Sequence, residues 1–239
     1  MTGLILLLLW MGAGHLFNFF HRQTVQALSP TLANRVVVVD PGHGGVDPGA
    51  VGPNNVLEKD LVLAVGHRLA LFLRQGGARV VLSREGDYDL ADPPETDLMR
   101  RKRQDLARRV QMANDSLASC FVSIHANSFP QSVWSGAQTF YYPEDTVSAR
   151  LALTLQNELV KQLGPNFRRI KTGNYRVLRD TRMPAVMVEV GFLSNPREEA
   201  LLSTPEYRER VARAIADGLV EYFTEHEVLV NGGRLRRDL

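Results

Sequence analysis

The sequence predicts one α/β domain in which a mixed, largely parallel β-sheet is covered by helices on both faces. Two observations support this fold. Short apolar, β-branched runs typical of buried strands alternate with longer segments whose apolar residues recur at helical spacing. A chain of 239 residues with 44% hydrophobic content is also long enough for a single domain with a substantial core. An apolar segment precedes this domain.

The first 22 residues differ in composition from the rest of the chain. Residues Gly3–Ala13 are almost wholly apolar, and Leu16–Phe20 are largely so. Such a segment is typical of a signal peptide or a single membrane anchor. No Lys or Arg precedes it and no clear cleavage site follows it, and we favour an uncleaved anchor over a helix packed on the domain. Residues 23–34 would then form a tether.

The first predicted strand and helix lie at the start of the domain. Val36–Val39 is a β-branched run that ends in Asp-Pro-Gly, as a buried strand followed by a tight loop would. Apolar residues at helical spacing predict a helix over Glu58–Gln75. The pair Gly76-Gly77 follows it, which is a common way for a helix to end.

The remaining elements continue the alternation of strands and helices. Further strands are predicted over Ala78–Ser83, Cys120–Ile124, Ala137–Tyr142, Tyr175–Leu178 and Ala185–Val190. Further helices are predicted over Asp97–Leu117, Thr146–Leu163 and Pro205–Glu225. The domain therefore covers residues 35–226, and residues 227–239 form a polar tail that we expect to fray.

Charge and cysteine content exclude several classes of protein. The formal net charge of +2 gives no indication of a nucleic-acid partner. The single cysteine, Cys120, excludes an intrachain disulfide and a zinc site built from a CxxC motif. Because Cys120 lies in an apolar strand, we expect it to pack in the core.

Three polar residues lie where predicted strands end. His43 occupies the loop DPGHGG, His125 follows a strand in CFVSIHAN, and Glu189 lies within AVMVEVGFLSN. Ligands of open α/β sheets bind outside the carboxyl ends of the strands, so we expect these residues to meet at one edge. A fourth candidate, Glu58, follows the first loop. Histidine and carboxylate side chains of this kind can form a zinc site that keeps one position open.

Each candidate also has a structural interpretation. His43 could be a surface histidine in a glycine-rich turn, and His125 could be a core histidine hydrogen-bonded to backbone. Glu58 follows Asn55 by three residues at a helix start, where the two could form a capping arrangement. Glu189 is the hardest to explain structurally, because a carboxylate in an apolar strand is costly to bury unless it is paired or neutralised.

The motifs DPGHGG, LEKD, SIHAN and VEVGFLSN resemble those of the zinc-dependent N-acetylmuramoyl-L-alanine amidases of bacterial cell walls, the amidase_3 family. The resemblance covers roughly Arg35–Phe223. Within the family, the segments RRKRQDLARRV, WSGAQTFYYPED and GFLSNPREEALL are most similar to amidases of sporulation and germination. The resemblance implies a phosphorylase/hydrolase-like sheet and makes residues 35–226 the amidase catalytic domain.

The resemblance also implies a cofactor, a reaction and roles for the four residues. One zinc ion would be held by His43, Glu58 and His125, and Glu189 would be the catalytic carboxylate. The bond cleaved would be the amide between N-acetylmuramic acid and L-alanine of the peptidoglycan stem peptide. Spore cortex is the expected substrate, where stem-peptide removal precedes muramic-δ-lactam formation. The alternatives are a vegetative cell-separation amidase and a non-catalytic peptidoglycan-binding or activator protein.

The expected partners are therefore peptidoglycan glycan strands and stem peptides, and the membrane through the N-terminal segment. No wall-binding domain is recognised in the sequence, so control could come from the anchor, the substrate or an activating partner protein. We expect an extracytoplasmic protein, secreted or anchored to the outer side of the cytoplasmic membrane. In a sporulating cell this would include the space between the two spore membranes.

Arginine residues outside these motifs have no assigned role in the substrate site. The cluster Arg100–Arg103, with Arg108 and Arg109, is interpreted as a largely solvated helix face. A second hypothesis is that it helps to hold acidic stem peptides or an anionic partner. Arg84 and Arg179 lie near strand ends, where one of them could contact a peptide carboxylate.

Overall fold

The computed structural model describes residues 30–93, 95–164 and 166–235, except for the side chains of 226–235. The predicted apolar segment 1–22 and residues 23–29 of the predicted tether lie outside the described residues. Across the described part of the chain, no helix combines the length and the apolar character needed to span a membrane.

Within the described residues, six strands form one mixed sheet. They are β1 (Val36–Pro41), β2 (Arg79–Leu82), β3 (Cys120–Asn127), β4 (Gln138–Tyr141), β5 (Lys171–Thr172) and β6 (Ala185–Phe192). Their order across the sheet is β2-β1-β3-β6-β4-β5. The four strands β2, β1, β3 and β6 run parallel, whereas β4 is antiparallel to β6 and parallel to β5. The predicted mixed, largely parallel sheet is confirmed.

The described part of the chain contains six helices, which cover the two faces of this sheet. They are α1 (Glu58–Gln75), α2 (Leu98–Asp115), α3 (Thr146–Leu163), α4 (Arg176–Arg179), α5 (Pro196–Leu202) and α6 (Pro205–Leu235). Helices α1 and α3 both pack against α6 on one face, and α2 and α4 pack together on the other. The bounds predicted for α1 and α3 are the observed ones.

The core has two parts because side chains alternate across each strand. In β1, Val37 and Val39 join the cluster under α1, α3 and α6, whereas Val38 joins the cluster under α2 and α4. Burial on both faces explains why the strand sequences are continuous apolar runs rather than alternating ones. Cys120 lies fully buried in the first cluster, as predicted, and burial raises the pKa of its thiol to about 12.

The predicted strand Tyr175–Leu178 is wrong, because this segment forms the short helix α4. Val177 and Leu178 both join the core cluster on the α2 face. Two adjacent residues of a strand would point to opposite faces of the sheet, whereas a helical turn can place both against the same neighbours.

The last helix is longer than predicted. Its backbone continues to Leu235, so residues 227–235 of the predicted polar tail are helical. A helix that is already formed adds one hydrogen bond for each further residue, which favours continuation beyond the packed part.

The N-terminal end of the described chain packs on the domain. A 3₁₀ turn over Pro30–Leu32 contacts α6, and Leu32 is fully buried in the core. This turn lies at the amino end of β1. The carboxyl ends of β1, β3 and β6, which carry the candidate site, lie at the opposite edge of the sheet.

Candidate metal and catalytic site

The strand register brings the predicted residues to one edge of the sheet. His125 in β3 and Glu189 in β6 are direct partners on neighbouring parallel strands. His125 lies inside β3, which was predicted to end at Ile124 but continues to Asn127. The loop after β1 carries His43 to the same place, with its ring 4.9 Å from the ring of His125.

His43, Glu58 and His125 form a compact group. Their potential ligand atoms all lie within 4.8 Å of one another, which suits them to hold a metal ion. Glu58 Oε1 lies 3.1 Å from His43 Nε2 and 3.0 Å from His125 Nδ1. Two imidazoles and a carboxylate match the donors of a catalytic zinc site.

Glu58 is held by backbone groups from two distant parts of the chain. Its Oε2 accepts a hydrogen bond from the Ala50 N–H at 2.8 Å, and its Oε1 accepts one from the Ala126 N–H at 2.9 Å. The Ala126 N–H comes from the point in β3 where the pairing with β6 shifts register, between His125 and Asn127. Glu58 is therefore fixed from both sides before any metal binds.

The capping interpretation of Glu58 is wrong. Leu57 is the N-cap of α1, and it supplies no side-chain cap. Asn55 instead adopts a left-handed conformation, with φ of 62°. Its backbone N–H donates a hydrogen bond to the Gly52 carbonyl, which closes a turn. The Glu58 carboxylate points to the histidines and not back to Asn55.

Two glycines allow the side chains to approach each other. A Cβ atom at Gly42 would collide with the ring of His125. A Cβ atom at Gly49 would lie 2.6 Å from Glu58 Oε2 and 2.7 Å from His43 Cδ2, and its φ of +68° also favours glycine. The glycine-rich loop is thus fitted closely around the three candidate ligands.

Carboxylates dominate the electrostatics of this group. Burial lowers the pKa of His43, but Asp47 and Glu58 outweigh that effect and raise it to about 9. Burial raises the pKa of Glu58, but His125 and His43 hold it well below its usual range. Asp47 Oδ2 lies 2.9 Å from His43 Nδ1, although that nitrogen makes no well-aligned hydrogen bond among the described residues. The group favours positive charge, which a metal ion can supply in place of the proton.

Glu189 also carries a polar atom without a hydrogen bond among the described residues. Burial raises the pKa of its carboxyl to about 7; His125 and His43 oppose this rise, and the charge of Glu58 adds to it. Its Oε2 is buried and has no hydrogen-bond partner among the described residues. A carboxyl group with a pKa in this range can both accept and donate a proton near neutral pH. Its position beside a possible metal site favours a chemical role over a structural one.

A cavity of about 270 Å³ opens at this edge, on the face covered by α2 and α4. His43, His125 and Glu189 line one side of it. Leu106 of α2 and Tyr175, just before α4, contribute to the opposite wall. The cavity gives a substrate access to the candidate ligands and to Glu189.

A second cluster of buried charge lies beside the candidate ligands. We call it the arginine cluster; it consists of Asp40, Ser83, Asp105, Arg109 and Ser123. Arg109 donates to Asp40 at 2.7 Å and to Asp105 at 2.9 Å. It also donates to the carbonyl oxygens of Pro41 at 2.8 Å and of His43 at 2.6 Å. His43 has a left-handed φ of 61°, so Arg109 helps to hold a strained loop.

These contacts change the interpretation of the arginines. Arg109 was assigned to a solvated helix face but is almost completely buried. Arg84 is also buried and donates to backbone carbonyls, including those of Pro41 and Gly42, so it is not placed to bind a peptide carboxylate. Arg179 pairs with Asp180 on the surface.

The burial of Arg109 had a signal in the sequence. It lies three residues after Leu106 and four residues before Ala113, on the apolar stripe of the helix. It also follows Asp105 by four residues, at the spacing of a helical ion pair.

Comparisons with known proteins identify the family of this chain. The profile of the family Amidase_3, N-acetylmuramoyl-L-alanine amidase, matches residues 37–221. The germination-specific N-acetylmuramoyl-L-alanine amidase of Bacillus subtilis is 40% identical over 211 residues, which span 87% of this chain and 88% of that protein.

Solved structures show the same likeness. The CwlD amidase of Clostridioides difficile, in complex with the GerS lipoprotein, superposes with a TM-score of 0.78 at 36% identity, over 80% of this chain and 99% of that one. The catalytic domain of CwlV, an N-acetylmuramoyl-L-alanine amidase from Bacillus (Paenibacillus) polymyxa, gives a TM-score of 0.70 at 38% identity, over 80% of this chain and 98% of that one.

Proposed function

The chain belongs to the N-acetylmuramoyl-L-alanine amidase family and is a peptidoglycan amidase, and we propose that it is zinc-dependent and acts on spore cortex. One observation carries the zinc assignment. His43, Glu58 and His125 bring their donor atoms within 4.8 Å of one another, beside Glu189, whose Oε2 is buried and has no hydrogen-bond partner among the described residues. In this proposal the first three residues are the ligands and Glu189 is the catalytic carboxylate.

The residues present fit a zinc ion. The donor set is the two-histidine, one-carboxylate set of many zinc hydrolases, and the Glu58 carboxylate is already fixed by two backbone N–H groups. A zinc ion bound there supplies Lewis-acid chemistry, which polarises a carbonyl and makes water reactive near neutral pH.

Glu189 performs the proton transfers in the proposed mechanism. Its pKa of about 7 lets the carboxylate take a proton from the attacking water. The same carboxyl group can then donate that proton to the departing amine of L-alanine. Because its Oε2 is buried without a partner, no hydrogen bond to the described residues has to be broken before this transfer.

The cortex assignment rests on the relatives. One of them is named as germination-specific, and CwlD of Clostridioides difficile is a structural neighbour over most of this chain. We propose that this chain removes stem peptides from cortex ahead of muramic-δ-lactam formation, outside the cytoplasm. A vegetative amidase would share the same catalytic residues, so the substrate has to be compared directly.

The experiment measures zinc content and amide hydrolysis on the same purified protein. Elemental analysis should give one zinc per chain, and mass spectrometry should detect intact stem peptides beginning at L-alanine. Cortex fragments should react faster than vegetative muropeptides. Equal rates would contradict the cortex assignment, and a protein that binds no zinc would contradict the ligand set.

We also propose an activating partner protein, because the Clostridioides difficile CwlD structure contains a lipoprotein bound to the amidase. The purified chain alone should then hydrolyse cortex slowly and gain activity when a lipoprotein from the same organism is added. Full activity of the isolated chain would argue against a partner requirement.

A further inference from the structure

A second cavity adjoins the catalytic one. Its volume is about 230 Å³, and it lies between the loop after β1 and the first turns of α2. Asp47, Lys102 and Asp105 line both cavities, so the second cavity lies directly beside the catalytic one.

The second cavity is bordered by an exposed apolar patch. Val46, Leu98 and Met99 are 58%, 67% and 63% exposed, and all three line the cavity together with Pro48. Single exposed apolar residues are ordinary, but three around one concave surface indicate a binding site. None of the nine lining residues is aromatic, so the cavity lacks a ring on which a sugar could stack.

Most charged groups of this cavity are already paired. Asp105 accepts from Arg109 and from the Leu90 N–H, and Arg101 donates to Asp89. Lys102 is different. Its side chain is 51% exposed, and within the described residues its only ion-pair partner is Asp47, at 3.2 Å. An ammonium group has three N–H donors, so Lys102 can bind a further acceptor.

We propose that this second cavity binds the stem peptide, with Lys102 receiving a carboxylate of the residue that follows L-alanine and the apolar patch contacting the aliphatic part beyond it. The proposal rests on the proposed amidase function and adds a specificity determinant to the same site. The exposed ammonium group of Lys102 and the position of this cavity beside the catalytic one favour the peptide over the glycan strand. Lys102 would thus select acidic stem peptides.

The test compares two muropeptides that differ in one group. In one, the second residue of the stem carries a free α-carboxylate, and in the other that carboxylate is an amide. The unmodified protein should show a kcat/KM about tenfold higher for the carboxylate form, mainly through KM, as expected for one charge-assisted contact. Lys102→Gln should bring the ratio close to one, and Lys102→Glu should invert it.

Matched variants separate this role from a structural one. Loss of the Lys102–Asp47 pair alone would lower the rates on both substrates equally and leave their ratio unchanged, which would overturn the proposal. Arg100→Gln, on the same helix but outside both cavities, should keep the ratio of the unmodified protein. Leu98→Ser combined with Met99→Ser should raise KM for both substrates.

Failure of the amidase function is distinguishable. If neither substrate is hydrolysed by any form of the protein, the proposed function fails, and the cavity is tested by calorimetry with the free stem peptides. Tighter binding of the carboxylate peptide, lost in Lys102→Gln, would support the proposal. Equal binding of the two peptides would overturn it.

Discussion

The two clusters of buried charge at the carboxyl edge of the sheet differ in how completely their polar atoms are paired. The first is the arginine cluster, which consists of Asp40, Ser83, Asp105, Arg109 and Ser123. The second, which we call the histidine cluster, consists of His43, Glu58, His125 and Glu189. Both contain residues from β3 and from β1 or the loop that follows it. Arg109 also donates a hydrogen bond to the backbone of this loop, at His43.

The arginine cluster is closed. Asp40 Oδ1 accepts from Ser83 at 2.6 Å and from Arg109 at 2.7 Å, and its Oδ2 accepts from Ser123 at 2.7 Å. The histidine cluster is open, because Glu189 Oε2 and His43 Nδ1 have no hydrogen bond within the described part of the chain. Burial alone therefore does not mark a functional charge; an unsatisfied buried atom that faces a cavity does.

Changing Glu189 tests the open cluster most directly. Glu189→Gln keeps the shape of the side chain but removes its ability to take a proton. We expect the rate of amide hydrolysis to fall by about 10²–10⁴-fold, while zinc binding is retained. Rate measurements and elemental analysis on the same sample check this, and undiminished turnover would refute the role of Glu189.

Breaking the closed cluster should affect stability. Arg109→Met leaves Asp40 buried without its cation, and we expect a loss of about 3–5 kcal/mol in the free energy of unfolding. Arg108→Met is the matched control, since Arg108 pairs with Asp92 at the surface, where a loss of about 0–1 kcal/mol is expected. Urea denaturation of both variants measures the difference. Similar losses would show that the buried pair is not a main source of stability.

Zinc binding at the histidine cluster should stabilise the folded protein, because the ion binds the folded state and not the unfolded one. At a free zinc concentration of 100 times its Kd, we expect the free energy of unfolding to rise by about 2.7 kcal/mol relative to chelator. Glu58→Gln should lose most of this increment, whereas Arg108→Met should retain it. Denaturation with zinc and with chelator measures both, and an unchanged increment in Glu58→Gln would remove Glu58 from the ligand set.

The closed cluster should also set the acid sensitivity of the fold. Burial raises the pKa of Asp40, but Arg109 and the two serines outweigh it and hold the pKa below its usual value. Because the folded-state pKa is depressed, Asp40 contributes stability above pH ~4 that is lost as the pH falls further.

For one proton, the free energy of unfolding should change by at most about 1.4 kcal/mol per pH unit. Asp40→Asn should have a shallower slope below pH 4 than the unmodified protein. Urea denaturation in chelator from pH 2.5 to 6 measures it, and identical slopes would assign the acid sensitivity to other groups.

Much of the fold could be predicted from the sequence because it is encoded locally. The β-branched run at Val36–Val39 and the helical spacing within Thr146–Leu163 specify elements without help from the rest of the chain. The meeting of His125 and Glu189 could also be predicted, because parallel strands deliver their carboxyl ends to one edge.

The remainder depends on contacts between distant residues. Whether Glu58 caps its helix or points inward depends on the N–H groups of Ala50 and Ala126, and Ala126 is 68 residues away in sequence. Helical spacing can indicate that Arg109 faces inward, but it cannot identify Asp40, 69 residues earlier, as its partner. Local patterns cannot supply such partners.

The position of Leu32 has a consequence for how the protein can be attached. The chain enters the domain at the amino end of β1, and the six residues of that strand separate this point from the His43 loop by about 20 Å. A support attached at this entry point would therefore face the amino ends of the strands and leave the catalytic opening at their carboxyl ends free for substrate.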